Sequence, residues 1–234
     1  MEIKNVKAII TGGTTGIGYE IASQLLKEGA EVVICGRNEE TVGKAYATLG
    51  SKGIAADVSN EQDVIRLFDY AVKEMDTVNV LINNAGIGGT FEELANTDVK
   101  DFQKVWEINV KGLFLAGKEA AKIFKENDYG NIINIGSTAA LKGFAKGSSY
   151  VASKFAVSGL TECWRAELRP HNVRVMQVNP SEVITPFYEK MGWTPQNIEK
   201  KLKPEQIAHT VVAMLKMNDV GFIPDAAVWA TNPW

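Results

Sequence analysis

Val6-Lys7-Ala8-Ile9-Ile10-Thr11-Gly12-Gly13-Thr14-Thr15-Gly16-Ile17-Gly18 carries an apolar run directly into a cluster of glycines. Ala8-Ile9-Ile10 suits a strand covered on both faces. Beyond the glycines, Ile17, Ile21, Ala22 and Leu25 recur at helical spacing, predicting a helix over Gly16–Glu28. Glycine lets the chain turn sharply and approach a ligand closely, and a helix N-terminus offers unpaired N–H groups with a partial positive charge. A strand, a glycine turn and a helix in that order form a cradle for a pyrophosphate, here with GxxxGxG spacing. Gly12, Thr14, Thr15, Gly16, Ile17 and Gly18 are the expected contacts.

Working outward, short β-branched runs alternate with amphipathic stretches. The strands are expected at Val6–Thr11, Glu31–Gly36, Gly53–Ala56, Val78–Asn83, Asn131–Gly136, Val173–Asn179 and Ala226–Ala230. The helices are expected at Gly16–Glu28, Glu39–Leu49, Glu61–Lys73, Val99–Lys125, Ser149–Leu168 and Pro204–Lys216. This alternation predicts an α/β fold, a Rossmann-type doubly wound sheet of seven parallel strands with helices on both faces. With no repeat or linker, residues 1–234 read as one domain. Ser181 to Lys203 has no clear period and is rich in Pro, aromatic and charged residues, as a lid over a binding site would be.

The balance of 25 basic and 28 acidic residues gives a net charge of −3, with no electrostatic reason to expect a nucleic-acid or membrane partner. No apolar run approaches the roughly 18 residues that span a bilayer. The strand begins too soon after Met1 to leave room for a signal peptide, so a cytoplasmic location is expected. Cys35 and Cys163 read as reduced, packed thiols. His171 and His209 lack a partner at metal-ligand spacing, and no metal is expected.

Two further features bear on chemistry. The second strand ends Cys35-Gly36-Arg37-Asn38, where an NAD-selective site would place a carboxylate for the ribose 2′-hydroxyl. A guanidinium suits a 2′-phosphate instead, which favours NADP(H) over NAD(H). Tyr150 and Lys154 stand four apart in a predicted helix and share one face. An ammonium beside a phenol is expected to lower its pKa from about 10 toward the range of a working acid and base.

Together with Ser137, thirteen residues before Tyr150, Asn109 in Trp106-Glu-Ile-Asn-Val-Lys-Gly112, Asn83-Asn84-Ala85-Gly86, and Asp57-Val58, these motifs span essentially the whole chain. The set resembles the short-chain dehydrogenase/reductase family, and within it the compact 3-oxoacyl-acyl-carrier-protein reductases and carbonyl reductases. The resemblance implies hydride transfer between a nicotinamide and a ketone or secondary alcohol. It implies that Tyr150 moves the proton, Ser137 hydrogen-bonds the reacting oxygen, and Lys154 holds the nicotinamide ribose and tunes Tyr150. Asn109 would hold a water connecting Lys154 to solvent through an irregularity in its helix. Asn84, Ala85 and Gly86 would support the adenosine side and the sheet centre, and Asp57 and Val58 would flank the adenine. Pro180, Val183 and Thr185 belong to the motif that meets the carboxamide, although Ser181 stands where the family has glycine, which puts that turn's geometry in question. The chain end lacks the glycine-rich ending of acyl-carrier-protein reductases, favouring a carbonyl reductase.

Leu141, Phe144, Phe187, Met191 and Trp193, with Ser137 and Tyr150, are expected to line the substrate cleft and favour apolar or aryl ketones. The stretches Val110–Ile123 and Tyr150–Leu168 are apolar over more than one face, with Phe155, Leu160 and Trp164 off the catalytic face. That surplus predicts a homotetramer, with a dimer second. A non-catalytic dinucleotide sensor is the alternative of another class, but it has little use for Asn109, Ser137, Tyr150 and Lys154 together.

Overall fold

The structure, a computed structural model, describes residues 1–190, 194 and 196–233. Seven strands form one parallel sheet: β1 (Lys7–Thr11), β2 (Glu31–Gly36), β3 (Lys52–Ala55), β4 (Val80–Asn83), β5 (Gly130–Ile135), β6 (Val173–Pro180) and β7 (Asp225–Val228). Their spatial order is β3-β2-β1-β4-β5-β6-β7. The order reverses between β1 and β4, the place where doubly wound sheets open a crevice at their C-terminal ends. Successive side chains serve opposite faces: Ala8 and Ile10 enter one core while Ile9 enters the other, and β2 divides Val32 and Ile34 from Val33 and Cys35 in the same way.

Helices α1 (Gly16–Lys27) and α8 (Pro204–Lys216) cover one face; α3 (Glu61–Met75), α5 (Leu113–Glu126) and α6 (Ser148–Leu168) cover the other. α2 (Glu39–Leu49) begins where Asn38 Oδ1 accepts the Thr41 N–H and ends at left-handed Gly50. α3 runs two residues past the expected Lys73, because its left-handed cap falls at Asp76.

The single helix expected over Val99–Lys125 is three pieces. α4 (Val99–Trp106) passes into a π-helical turn over Glu107–Gly112 before α5 begins. Such a turn bulges one residue out of the ladder and commonly marks a functional site. The described residues of the segment from Ser181 to Lys203 include the five-residue α7 (Pro186–Lys190) and a 3₁₀ turn at Ile198–Lys200. Both are too short to show a period. A parallel bridge between Val183 and Leu202 closes the loop at its base, supported by an ion pair between Lys201 and Glu182.

Two side chains sit otherwise than expected. Cys163 is exposed on α6 rather than packed, while Cys35 is buried in β2. Trp164, expected on the outer face, is half-buried over Gly117 of α5, where any Cβ would overlap its ring. A wide ring on one helix and no side chain on the next let α5 and α6 approach closely. Among the described residues, no helix is long and apolar enough to cross a membrane.

Candidate active site

The glycine turn is held from β4. Asn84 Nδ2 donates to the carbonyls of Thr11 and Gly12, each at 3.0 Å, and Thr11 Oγ1 accepts the N–H groups of Asn84 and Ala85. Gly12 has φ +64°, and a Cβ there would lie 2.9 Å from Ala85 Cα. A Cβ on Gly18 would lie 2.5 Å from Asn84 Nδ2 and 2.6 Å from the Gly12 carbonyl, so the turn closes only with glycine. Thr15 provides no side-chain cap to α1, and the first turn of α1 carries no acid. Its N–H groups are therefore open to an anion, which fits a dinucleotide pyrophosphate along Thr14, Thr15, Gly16, Ile17 and Gly18.

Arg37 is exposed at the end of β2, beside Gly36, whose missing Cβ makes room for Thr14. The neighbouring Asn38 spends its side-chain oxygen on capping α2. Asp57 is turned inward on its own loop, accepting from the Ser59 N–H (2.9 Å) and hydroxyl (2.8 Å). Val58 is buried against Gly112 of the π turn.

The catalytic candidates converge at the C-terminal ends of β4 and β5. Ser137 follows β5 and caps a 3₁₀ turn, its Oγ accepting the Ala139 N–H at 3.1 Å. Its side chain stands close enough to the Tyr150 hydroxyl to favour the phenolate. Lys154, buried one turn further along α6, donates to the Ile135 carbonyl at 3.0 Å and lies 5.7 Å from the centroid of the Tyr150 ring. Asn109, in the π turn, accepts the Ile87 N–H (2.8 Å) and donates to the Ile87 carbonyl (2.9 Å) and Ser153 Oγ (3.0 Å). Asn109 Oδ1 and Lys154 Nζ face the same point beside Gly86, at 3.3 and 3.9 Å from where a Cβ would stand. A Cβ at 86 would press on Asn109 Oδ1 and just touch Lys154 Nζ.

The electrostatics correct one expectation. Tyr150 is pushed above, not below, its ordinary pKa: burial penalises the phenolate more than the nearby Ser137 side chain favours it. Burial also depresses Lys154 from 10.5 to about 8, which weakens the ammonium expected to oppose that penalty. Sequence spacing places the two groups on one face but does not report their desolvation.

Around Tyr150 stand aromatic rings. Phe91 meets it edge-on, with centroids 6.2 Å apart at 87°, and Phe187 approaches to 6.0 Å. Phe144 packs on Phe91 at 5.7 Å and, like Leu141, remains half exposed. Tyr188 adjoins Phe187, and burial raises its pKa. Met191 and Trp193 lie outside the described residues. Phe91 was not foreseen, because its loop after Asn83–Gly86 has no period; its one sequence signal is a large apolar ring just beyond that motif.

Ser181 fits its turn. It is not among the left-handed residues, its N–H donates to the Val228 carbonyl at 2.9 Å, and its hydroxyl accepts the Ala230 N–H at 3.4 Å. The serine thereby ties the start of this segment to the residues after β7. Val183 is buried, and Thr185 lies 3.2 Å from the point a Cβ on Gly16 would occupy, bringing this stretch against the glycine turn.

A glycine turn at the sheet's switch point and a Ser–Tyr–Lys group at the ends of its central strands define an oxidoreductase fold and site. The short chain dehydrogenase family model matches residues 6–195, and the chain belongs to that family. It is an oxidoreductase acting on alcohols or ketones, and the family uses a nicotinamide dinucleotide. It is 33% identical over 234 residues to a 3alpha-hydroxysteroid dehydrogenase of Mediterraneibacter gnavus, covering 97% of this chain and 88% of that protein. It is 35% identical over 187 residues to the mitochondrial borneol dehydrogenase of Lavandula x intermedia, covering 80% of this chain and 72% of that one. The solved 3-ketoacyl-(acyl-carrier-protein) reductase of Brucella melitensis, complexed with NADH, superposes with a TM-score of 0.89 at 27% identity, covering 97% and 98% of the two chains.

Proposed function

We propose that this protein is an NADP(H)-dependent carbonyl reductase and alcohol dehydrogenase for apolar, alicyclic or aryl ketones. The observation that carries the reading is Tyr150, beside Ser137, backed by Lys154 and flanked by Phe91 and Phe187. A dinucleotide bound here would supply or take up the hydride. Thr14 to Gly18 would hold its pyrophosphate, Arg37 its 2′-phosphate, Asp57 and Val58 its adenine side, and Pro180, Val183 and Thr185 its carboxamide end.

In reduction, the Tyr150 hydroxyl gives its proton to the carbonyl oxygen; in oxidation, it takes one from the alcohol. Ser137 Oγ accepts from the Ala139 N–H, which leaves its own proton free to donate to the same oxygen. Lys154, with a pKa of about 8, stays mostly protonated at neutral pH and can replace the proton Tyr150 gives up. Asn109, held at both ends by Ile87, fixes the wall facing Lys154 and would hold the water linking it to solvent.

The rings around Tyr150 exclude water and stabilise an apolar substrate by burying its area, whereas a charged one would have to be desolvated there. The steroid and borneol activities named for two relatives support bulky alicyclic ketones. An acyl-carrier-protein substrate is the second reading, supported by the Brucella neighbour. Initial rates with NADPH and NADH against cyclic, aryl and acyl-thioester ketones test the assignment; no turnover with any of them overturns it.

The chain is taken as one unit over 1–234 with a lid around 181–203, cytoplasmic, assembling as a tetramer or, second, a dimer. Phe102 and Trp106, stacked 6.5 Å apart, with Phe114 and Phe155, leave exposed aromatic surface on α4, α5 and α6, which supports self-association.

A further inference from the structure

We propose that Asn179 is a positioning residue for Ser137: its side-chain oxygen takes the Ser137 N–H and fixes where the serine hydroxyl stands. The inference rests on the reading of Ser137 as the group that holds the reacting oxygen.

The last backbone bond between β5 and β6 runs from the Gly136 N–H to the Val178 carbonyl at 2.8 Å. The next amide, Ser137, has no strand partner, and its N–H turns to Asn179 Oδ1 at 3.2 Å. A side chain thus stands in for the ladder at the residue where the chain leaves the sheet for the Thr138–Ala140 turn. Two neighbours make the arrangement possible. Gly136 has no Cβ; one there would overlap Asn179 Oδ1 and lie 2.8 Å from Gln177 Nε2. Gln177, two residues before Asn179 and on the same face of β6, donates to Asn179 Oδ1 at 2.7 Å. The same Gln177 nitrogen donates to Ser158 Oγ of α6 at 2.8 Å.

The result is a buried polar line from Ser158 through Gln177 and Asn179 to Ser137, joining the helix that carries Tyr150 and Lys154 to the turn that carries the serine. Asn179 and Gln177 are 4% and 1% exposed, so water does not compete for these bonds. With both of its hydrogen-bond donors in place, Asn179 Oδ1 cannot swing away from Ser137. This line acts on the position of Ser137 relative to Tyr150.

The test compares Asn179→Ala, Asn179→Asp, Gly136→Ala, Ser137→Ala and the Asn179→Ala/Ser137→Ala double variant, with melting temperature and NADPH affinity measured for each. The expected result for Asn179→Ala is kcat down about ten- to a hundred-fold, with NADPH affinity unchanged. Asn179→Asp, which keeps an oxygen for both donors, recovers most of that turnover. The double variant should be no slower than Ser137→Ala, since the loss acts through the serine. Gly136→Ala, which displaces the Asn179 oxygen without removing it, should reproduce the kcat loss if Asn179→Ala does not fold. Turnover within two-fold of wild type in a folded Asn179→Ala, or losses that multiply in the double variant, would overturn the proposal while a slow Ser137→Ala leaves the serine's role standing. Wild-type turnover in Ser137→Ala would overturn both.

Discussion

The Lys154 ammonium lies 5.7 Å from the centroid of the Tyr150 ring yet makes its hydrogen bond to the carbonyl of Ile135, at 3.0 Å. The lysine is anchored to the end of β5, and its charge is held beside the phenol rather than paired with it. Burial raises the Tyr150 pKa and lowers that of Lys154, so each group resists the charged form the other would favour.

That relationship predicts a stability effect. Lys154 is depressed from 10.5 to about 8, so its buried charge opposes folding fully below pH 8. Between pH 8 and 10.5 the unfolded chain binds a proton there that the native state does not, and stability from this group rises with pH. Lys154→Met, which keeps the unbranched stem but not the charge, should therefore melt higher than wild type at pH 7 while losing activity. The difference should shrink as pH rises through this window. A melting-temperature series for both proteins checks it; a gain that grows with pH contradicts the sign.

Tyr150→Phe removes the proton-bearing hydroxyl and leaves the ring against Phe91 and Phe187. Folding and cofactor affinity should persist while kcat falls by about 10²–10⁴-fold. Turnover near wild type would remove Tyr150 from the mechanism.

Arg37 is exposed at the end of β2, and its neighbour Asn38 is committed to the α2 cap. Arg37→Asp places a carboxylate where the 2′-phosphate is expected, so kcat/KM with NADPH should drop far more than with NADH. A wild-type preference for NADH would show the cofactor assignment to be wrong before any variant is made.

Phe91 touches both Phe144 and Tyr150, so its ring helps shape the apolar wall. Phe91→Ala should reduce kcat/KM for a bulky alicyclic ketone by about ten-fold, with less effect on a small ketone. Equal losses on both substrates would point to a general structural role instead.

Assembly is best tested at Trp106, which stacks on Phe102 and is 41% exposed, rather than at Trp164, which is packed within the chain. Trp106→Glu should shift sedimentation at micromolar concentration toward smaller species by placing a charge in an apolar contact. A wild-type protein sedimenting at the mass of one chain would refute the tetramer and the dimer together.

The local pattern of residues was enough to determine the order of strands and helices, because apolar periodicity records which faces meet a core. Glu31–Gly36 and Glu39–Leu49 coincide with their expected bounds, and the glycine turn is decided by backbone geometry that neighbouring residues impose. The resemblance of the motifs brought Ser137, Tyr150, Lys154 and Asn109 forward as a set. Tertiary structure alone decided how they stand. The Ser137 N–H meets Asn179 across a separation of 42 residues; Trp164 finds the one residue of α5 without a side chain; and Cys163 points to solvent. The same is true of the rise in the Tyr150 pKa, since desolvation is the sum of every group packed around the hydroxyl, and spacing along a helix counts only its nearest neighbours.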